Sequence, residues 1–127
     1  MYSNFGQFID GKWQKAHNNE TYDVINPSTE EVIGKASKAS TLEIDKALKS
    51  AEKGFKTWKQ FSPWDRAVIL RNIADNVRKK SNELAKWMTL ETGKPLAEGL
   101  AEVAGSADIF EWNAEETKRI YGQTVQS

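Results

Sequence analysis

The sequence contains no cysteine, which excludes disulfides, thiolate metal ligands and a cysteine nucleophile in this chain. It contains one histidine, His17, followed by Asn18 and Asn19. A metal centre needs several ligands at suitable spacing and a catalytic triad needs a base, so we interpret His17 as a surface residue of a polar loop. Taken alone, these residues leave no visible active site.

An excess of charge is also absent, because 18 Lys and Arg residues are balanced by 18 Asp and Glu residues. No long-range field therefore favours nucleic acid or an anionic membrane, and we expect neither as a partner. The basic run Arg78–Lys80 is interpreted as a solvated helix end. No stretch of about 18 apolar residues is present and Met1–Asn4 begins no signal sequence, so we expect a cytoplasmic protein.

The length of 127 residues is enough for one domain with a modest core, and 39% hydrophobic and 28% charged residues are typical of a soluble globular protein. The chain is too short for the several domains of a usual enzyme that binds both a cofactor and a substrate. We find no repeat, low-complexity segment or long linker. The sequence therefore predicts a single unit over residues 1–127.

Residues 1–38 predict β-hairpins. Asp10-Gly11 is suited to a two-residue turn that needs positive φ angles. Pro27 removes a backbone donor and marks a second turn over Asn26–Glu30. The predicted strand segments are the Phe8–Trp13 hairpin, Tyr22–Ile25 and Glu31–Ala36.

Residues 40–122 predict three or four amphipathic helices. Ser40 and Glu43 have the spacing of a capping box, and Ser62 followed by Pro63 predicts the start of a second helix. Gly93 and Gly122 are predicted helix ends. The apolar stripes are Ile44, Ala47, Leu48, Ala51, Phe55 and Trp58; Ala67, Leu70, Ile73, Ala74 and Val77; Leu84, Trp87 and Met88; and Leu96, Leu100, Val103, Ala107, Phe110 and Ala114.

Two patterns that suggest chemistry are given structural interpretations. Glu115 and Glu116 are adjacent on a helix and point about 100 degrees apart, so they cannot act as a catalytic pair. We expect Glu115 to form an i, i+4 ion pair with Arg119. The glycines at 93, 99 and 105 do not match the spacing of a dinucleotide-binding fingerprint.

An ordered series of motifs runs along nearly the whole chain: Phe8–Trp13, Val24–Gly34, Ile44–Ala47, Phe55–Trp58, Arg66–Leu70 and Glu91–Leu96. In this order they resemble the amino-terminal part of the NAD(P)-dependent aldehyde dehydrogenase superfamily. Glu30 departs from the pattern, since a turn glycine is common at its position. The tract Trp112–Gly122, taken with Met88–Glu91, is similar to the succinate-semialdehyde dehydrogenase branch in particular.

The resemblance implies an α+β chain that forms the outer part of an α/β, Rossmann-type cofactor-binding domain. In the family a cysteine attacks the aldehyde, hydride passes to the nicotinamide, a glutamate activates water and an asparagine helps to form the oxyanion hole. All three residues lie downstream of the matched region. We therefore expect NAD or NADP to bind the complete enzyme and not this chain alone, which would be inactive without the remainder of the dehydrogenase. The resemblance also implies that the complete dehydrogenase is a homo-oligomer.

The resemblance also implies a structural Na or K ion held by the backbone carbonyl of Ile25 and the carboxylate of Glu91. Oxygen ligands suit a hard cation. The alternative is that Glu91 is an ordinary charge near a helix end. The segment Gly105–Ile109 would approach the substrate tunnel of the family, with core packing as its alternative.

A second hypothesis is a standalone, non-catalytic helical interaction module derived from such an enzyme, and on the sequence alone it stays open whether the chain is an enzyme. Thr124–Ser127 is typical of the start of a strand, and an unpaired edge strand promotes association, which favours a fragment. If the helix stripes pack against an absent sheet, the isolated chain should expose a large apolar patch.

Overall fold

The computed structural model describes residues 6–126 and has the α+β architecture that the sequence predicts, with two antiparallel hairpins followed by helices. Residues 1–5, within the predicted hairpin region, and Ser127, in the predicted terminal strand, lie outside the described residues. The strands are β1 (Gln7–Ile9), β2 (Lys12–Gln14), β3 (Thr21–Ile25) and β4 (Val32–Ser37), and the helices are α1 (Thr41–Trp58), α2 (Pro63–Lys79), α3 (Ser81–Thr92) and α4 (Leu96–Glu116), with a 3-10 turn at Thr117–Arg119.

The described residues divide into two compact units, each with its own contacts. Unit 1 comprises residues 6–59 and 87–95, and unit 2 comprises residues 60–86 and 96–126. Folding of the whole chain as one domain stays a prediction.

Both predicted hairpins of unit 1 are present. β1 pairs with β2 so that Phe8 lies opposite Trp13, and the centroids of their rings are 5.2 Å apart. Asp10 and Gly11 have φ angles of 52° and 77°, as a primed two-residue turn requires. β3 pairs with β4 across the turn that begins at Asn26. Local turn chemistry therefore determines this part of the fold.

The capping box at the start of α1 is confirmed and also holds the loop that follows β2. The Ser40 hydroxyl and backbone N–H donate to Glu43 over 2.6 Å and 3.0 Å, and the backbone N–H of His17 donates to the same carboxylate over 3.2 Å. Glu43 is only 2% exposed. A buried carboxylate is tolerated here because three donors solvate it.

Unit 2 is built on the packing of α2 against α4. Ser62 caps α2 by accepting from the Asp65 backbone N–H over 3.2 Å, with Pro63 in the first turn, as predicted. The buried apolar side chains of the two helices belong to the predicted stripes and are small: Ala67, Ala74, Val103, Ala107 and Ala114. Gly99 of α4 is buried as well and lies outside the predicted stripes.

The end of the last helix differs from the prediction. α4 ends at Glu116 and tightens into the 3-10 turn, whereas the sequence predicted helix as far as Gly122. Gly122 has a φ of 70°, which fits a chain reversal, but it lies beyond the helix. Described residues 120–126 form neither helix nor strand, so the strand expected to start at Thr124 is absent from the described part of the chain.

The expected ion pair between Glu115 and Arg119 is wrong. Arg119 pairs with Glu116 over 3.1 Å, and Glu115 pairs with Lys118 over 3.1 Å and with Arg71 of α2. The cause is the 3-10 turn, which brings residues three apart into register where an α-helix would align residues four apart.

The helices within residues 6–126 include none that is both long and apolar enough to cross a membrane.

Glu43 should make unfolding sensitive to acid. Its pKa lies below its ordinary value of 4.5 because the Ser40 hydroxyl, the Ser40 N–H and the His17 N–H donate to the ionised form. A lowered folded pKa gives stability that is complete at neutral pH and is lost as the pH falls below 4.5 through the folded pKa. We expect Glu43→Gln to lower the denaturant midpoint at neutral pH and to flatten its acid dependence.

The matched control is Asp45→Asn, which removes an exposed carboxylate from the same helix. Equal acid dependence of the midpoint in Glu43→Gln and in the unchanged protein would show that Glu43 does not stabilise the fold through its charge.

Candidate functional site

The candidate site lies in unit 1, where the turn after β3 meets the end of α3. The Ser28 hydroxyl donates to the Gly93 carbonyl over 3.0 Å, although 65 residues separate them in the chain. Asn26 shapes the turn, because its side-chain oxygen accepts from the Ser28 N–H over 2.9 Å and its backbone carbonyl accepts from the Glu30 N–H over 2.8 Å. The two segments that the sequence marked for a cation are thus brought together.

Gly93 permits this contact for two reasons. Its φ of 72° is in the left-handed region that ends a helix, and its N–H closes the last turn on the Thr89 carbonyl over 2.9 Å. A Cβ at this position would lie 2.6 Å from the Ser28 hydroxyl and 3.0 Å from the Pro27 ring. The site therefore requires glycine for backbone conformation and for space.

Glu30 has a φ of 60° in the same turn. This left-handed conformation explains why a glycine is suited to the position, as the sequence comparison with family motifs implied. A non-glycine residue here adopts a strained conformation that costs about 1–3 kcal/mol. Glu30 therefore adopts the backbone conformation of the usual turn glycine, and this conformation strains a residue that has a side chain.

Ile25 and Glu91 flank this contact. Ile25 ends β3 directly before the turn, and Glu91 is exposed in the last turn of α3, two residues before Gly93. The two ligand groups that the resemblance implies are oxygen atoms, one in the Ile25 carbonyl and one in the Glu91 carboxylate. This donor chemistry fits a hard monovalent cation better than a transition metal. Within residues 6–126 no group of three or more His, Cys, Asp and Glu residues is arranged to hold a metal.

The acidic residues near the end of α4 do not form a catalytic pair. Arg71 and then Lys118 hold the pKa of Glu115 below its ordinary value through hydrogen bonds, while Glu116 pairs with Arg119. Each carboxylate is thus committed to a different cation. Lys118 also lies 5.0 Å from the centre of the Trp64 ring, which is a cation–π contact.

Arg78, interpreted as part of a solvated helix end, instead links α2 to α4. It donates to Asp108 over 2.9 Å and to Glu111, and these two carboxylates raise its pKa. The sequence pattern did not reveal this link, because the partners lie about 30 residues away in the chain. The pairing supports a structural role for this part of the basic run.

The other residues considered for chemistry are His17 and the Gly105–Ile109 segment. His17 uses its backbone N–H to cap Glu43 and lies in an exposed part of the loop. In the Gly105–Ile109 segment Ala107 is buried while Ile109 is exposed. The sequence has no cysteine and one histidine, so these residues do not provide a nucleophile together with a general base for acyl chemistry.

Comparison with known proteins gives one consistent family. A sequence model described as aldehyde dehydrogenase family matches residues 13–127. A glutarate-semialdehyde dehydrogenase of Pseudomonas putida is 42% identical over 93% of this chain and 25% of its own length. The NADP(+) succinate-semialdehyde dehydrogenase of Escherichia coli is 40% identical over 92% of this chain and 24% of its own length.

Solved structures agree with these sequence relatives. The crystal structure of a succinate-semialdehyde dehydrogenase from Burkholderia pseudomallei superposes with a TM-score of 0.91 and 37% identity, covering 98% of this chain and 26% of that protein. The chain thus spans about a quarter of the length of the relatives that it matches.

Replacing Gly93 should weaken the site. We expect Gly93→Ala to lower the free energy of unfolding by about 1–3 kcal/mol for the left-handed conformation alone, with a further loss from contact with Ser28 and Pro27. Chemical denaturation of the two proteins measures the difference.

Gly122→Ala is a matched control, because Gly122 has a φ of 70° and open space where a Cβ would stand. Adding Ser28→Ala to Gly93→Ala should recover part of the loss. If Gly93→Ala costs no more than Gly122→Ala, the close approach of the turn does not constrain this position.

Proposed function

Because this chain belongs to the aldehyde dehydrogenase family, we propose that it is the amino-terminal part of an NAD(P)-dependent enzyme that oxidises an aldehyde to the acid. The main observation that supports this proposal is that relatives named as semialdehyde dehydrogenases are about 40% identical over more than nine tenths of this chain. Since the chain spans about a quarter of their length, the activity belongs to the longer protein.

Succinate semialdehyde is the proposed substrate. The motif tract Trp112–Gly122 supports it, as does the identity to the Escherichia coli enzyme. Glutarate semialdehyde is the second candidate, because the Pseudomonas putida relative is slightly more similar. The two substrates share a carboxylate remote from the aldehyde and differ by one methylene, so discrimination must come from residues that measure chain length.

The chemical step is assigned to the remainder of the protein. This chain holds no cysteine, and its described acidic residues Glu115 and Glu116 are paired with cations. We therefore place the nucleophile, the water-activating glutamate and the site for NAD or NADP in the part that this chain does not contain. A bound nicotinamide cofactor accepts the hydride there.

The role proposed for this chain is to cover the outside of the cofactor-binding domain. The predicted apolar face of α1 supports this role, because Ile44, Leu48 and Phe55 are 50%, 63% and 63% exposed. In unit 2 Trp64, Ile109 and Trp112 are also mostly exposed. So much exposed apolar area is typical of a surface that another part of the protein covers.

The remainder of the dehydrogenase is thus the principal proposed partner. A cytoplasmic location and assembly into a homo-oligomer complete the proposal, with no role in binding nucleic acid or membranes. The balanced charge supports the last point.

The activity is tested in the complete polypeptide that carries this chain. We expect formation of reduced nicotinamide, followed by absorbance, with succinate semialdehyde and either NAD or NADP, and a lower kcat/KM with an aldehyde that lacks the remote carboxylate. This chain alone should show no turnover. No turnover in the complete polypeptide with any aldehyde would contradict the enzymatic proposal and favour the alternative of a non-catalytic interaction module.

A structural cation is proposed at Ile25 and Glu91. Its support is the contact between Ser28 and Gly93, which brings the turn after β3 to the end of α3. The Ile25 carbonyl and the Glu91 carboxylate would hold Na or K, and the ion would fix the turn to the helix.

Binding of this ion should raise the melting temperature, which is measured without an activity assay. We expect NaCl or KCl to raise the melting temperature of the complete polypeptide above its value in choline chloride at equal ionic strength, and Glu91→Gln to abolish the difference. Glu83→Gln, at the other end of α3, should keep it. The same cation response in Glu91→Gln and in the unchanged protein would leave Glu91 as an ordinary charge near a helix end.

A further inference from the structure

A groove in unit 1 lies between the β1–β2 hairpin and α1, away from the Ser28–Gly93 contact. It has a volume of about 450 Å³, with walls from both elements. Four of its lining side chains are lysines, and the lining residues are Ile9, Asp10, Lys12, Gln14, Lys46, Lys49, Ser50 and Lys53. We call it the lysine groove.

The lysines stand on one face of α1. Lys46, Lys49 and Lys53 are spaced by three and four residues, which stacks them on successive turns opposite the exposed apolar face. Lys12 faces them from β2. Like charges at this spacing repel each other and destabilise a helix unless an anion compensates them.

One carboxylate lies among these cations. Asp10 is 3.9 Å from the Lys53 ammonium and accepts from the Ser50 hydroxyl over 3.4 Å, so it is already shared. Within residues 6–126, Lys12, Lys46 and Lys49 form no salt bridge. The groove lining therefore carries four positive charges against one negative charge, in a sequence whose net charge is zero.

Gln7 is an unpaired polar residue next to this part of the hairpin. It shares a face of β1 with Ile9, because alternate residues of a strand point to the same side, and it lies opposite Gln14 in the hairpin. Its side-chain nitrogen and oxygen are both buried and have no hydrogen-bond partner in residues 6–126. Buried amides are nearly always paired, so Gln7 is an unsatisfied polar group on the side of the hairpin that carries Ile9 and Gln14, although Gln7 itself does not line the groove.

We propose that the lysine groove binds a small, multiply charged oxyanion of the phosphate type. Lys46 and Lys49 would contact the anion from α1 and Lys12 from β2. Asp10 holds Lys53 and Ser50 in place and keeps the hairpin tip against the helix. Ammonium groups on flexible stems suit this ligand, because they converge on an anion without a fixed geometry.

Inorganic phosphate is the probe, titrated calorimetrically into the complete polypeptide at constant ionic strength, with chloride as the reference anion. We expect saturable binding of phosphate, and Lys49→Gln should weaken it about tenfold, as expected for the loss of one charge-assisted hydrogen bond. Gln keeps the helix propensity of Lys, and circular dichroism checks that α1 is retained.

Lys56→Gln is the matched control. Lys56 is on the same helix but outside the groove, and it pairs with Glu52 over 2.7 Å. Its replacement should leave phosphate affinity unchanged. The proposal fails if phosphate gives no saturable heat beyond chloride, or if Lys49→Gln and Lys56→Gln bind phosphate equally well.

Discussion

The packing of α2 against α4 is the contact on which unit 2 depends. Its buried apolar side chains are four alanines and one valine, which lets the two helices approach closely but removes little apolar area from water. Salt bridges from Arg71 and Arg78 to α4 fix the pairing and add little stability, because all the charged groups are partly exposed. The helices therefore bury small side chains between them and leave large apolar side chains exposed.

This arrangement suits the proposed role of the chain as a covering part of a larger enzyme. A surface with apolar helix faces is unfavourable in water but well suited to packing on a larger domain. In unit 1, specific hydrogen bonds hold the irregular segments in place. Glu43 joins the loop after β2 to α1, and Ser28 joins the β3–β4 turn to Gly93. In the proposed dehydrogenase the chain would contribute a covering surface and an ion-stabilised corner, while the reacting groups lie elsewhere.

The sequence predicted features that neighbouring residues determine. Asp10-Gly11, Ser40 with Glu43, and Ser62 before Pro63 each specify a turn or a helix start within four residues, and the structure has all of them. Contacts between distant segments were beyond such patterns: Glu115 pairs with Arg71, which lies 44 residues away in the chain. The candidate cation site came from resemblance alone, and the Ser28 contact that supports it joins residues 65 apart.

The central claim is that another part of the protein covers the exposed face of α1. The most direct test is the free energy of unfolding of the complete polypeptide with Leu48→Ala, against Lys56→Ala at an exposed charged position of the same helix. If Leu48 is buried in the complete protein, the loss should be about 2–5 kcal/mol, as for other buried leucines. A loss within about 0.5 kcal/mol, the range of surface substitutions, would show that the face remains in water and would contradict the claim.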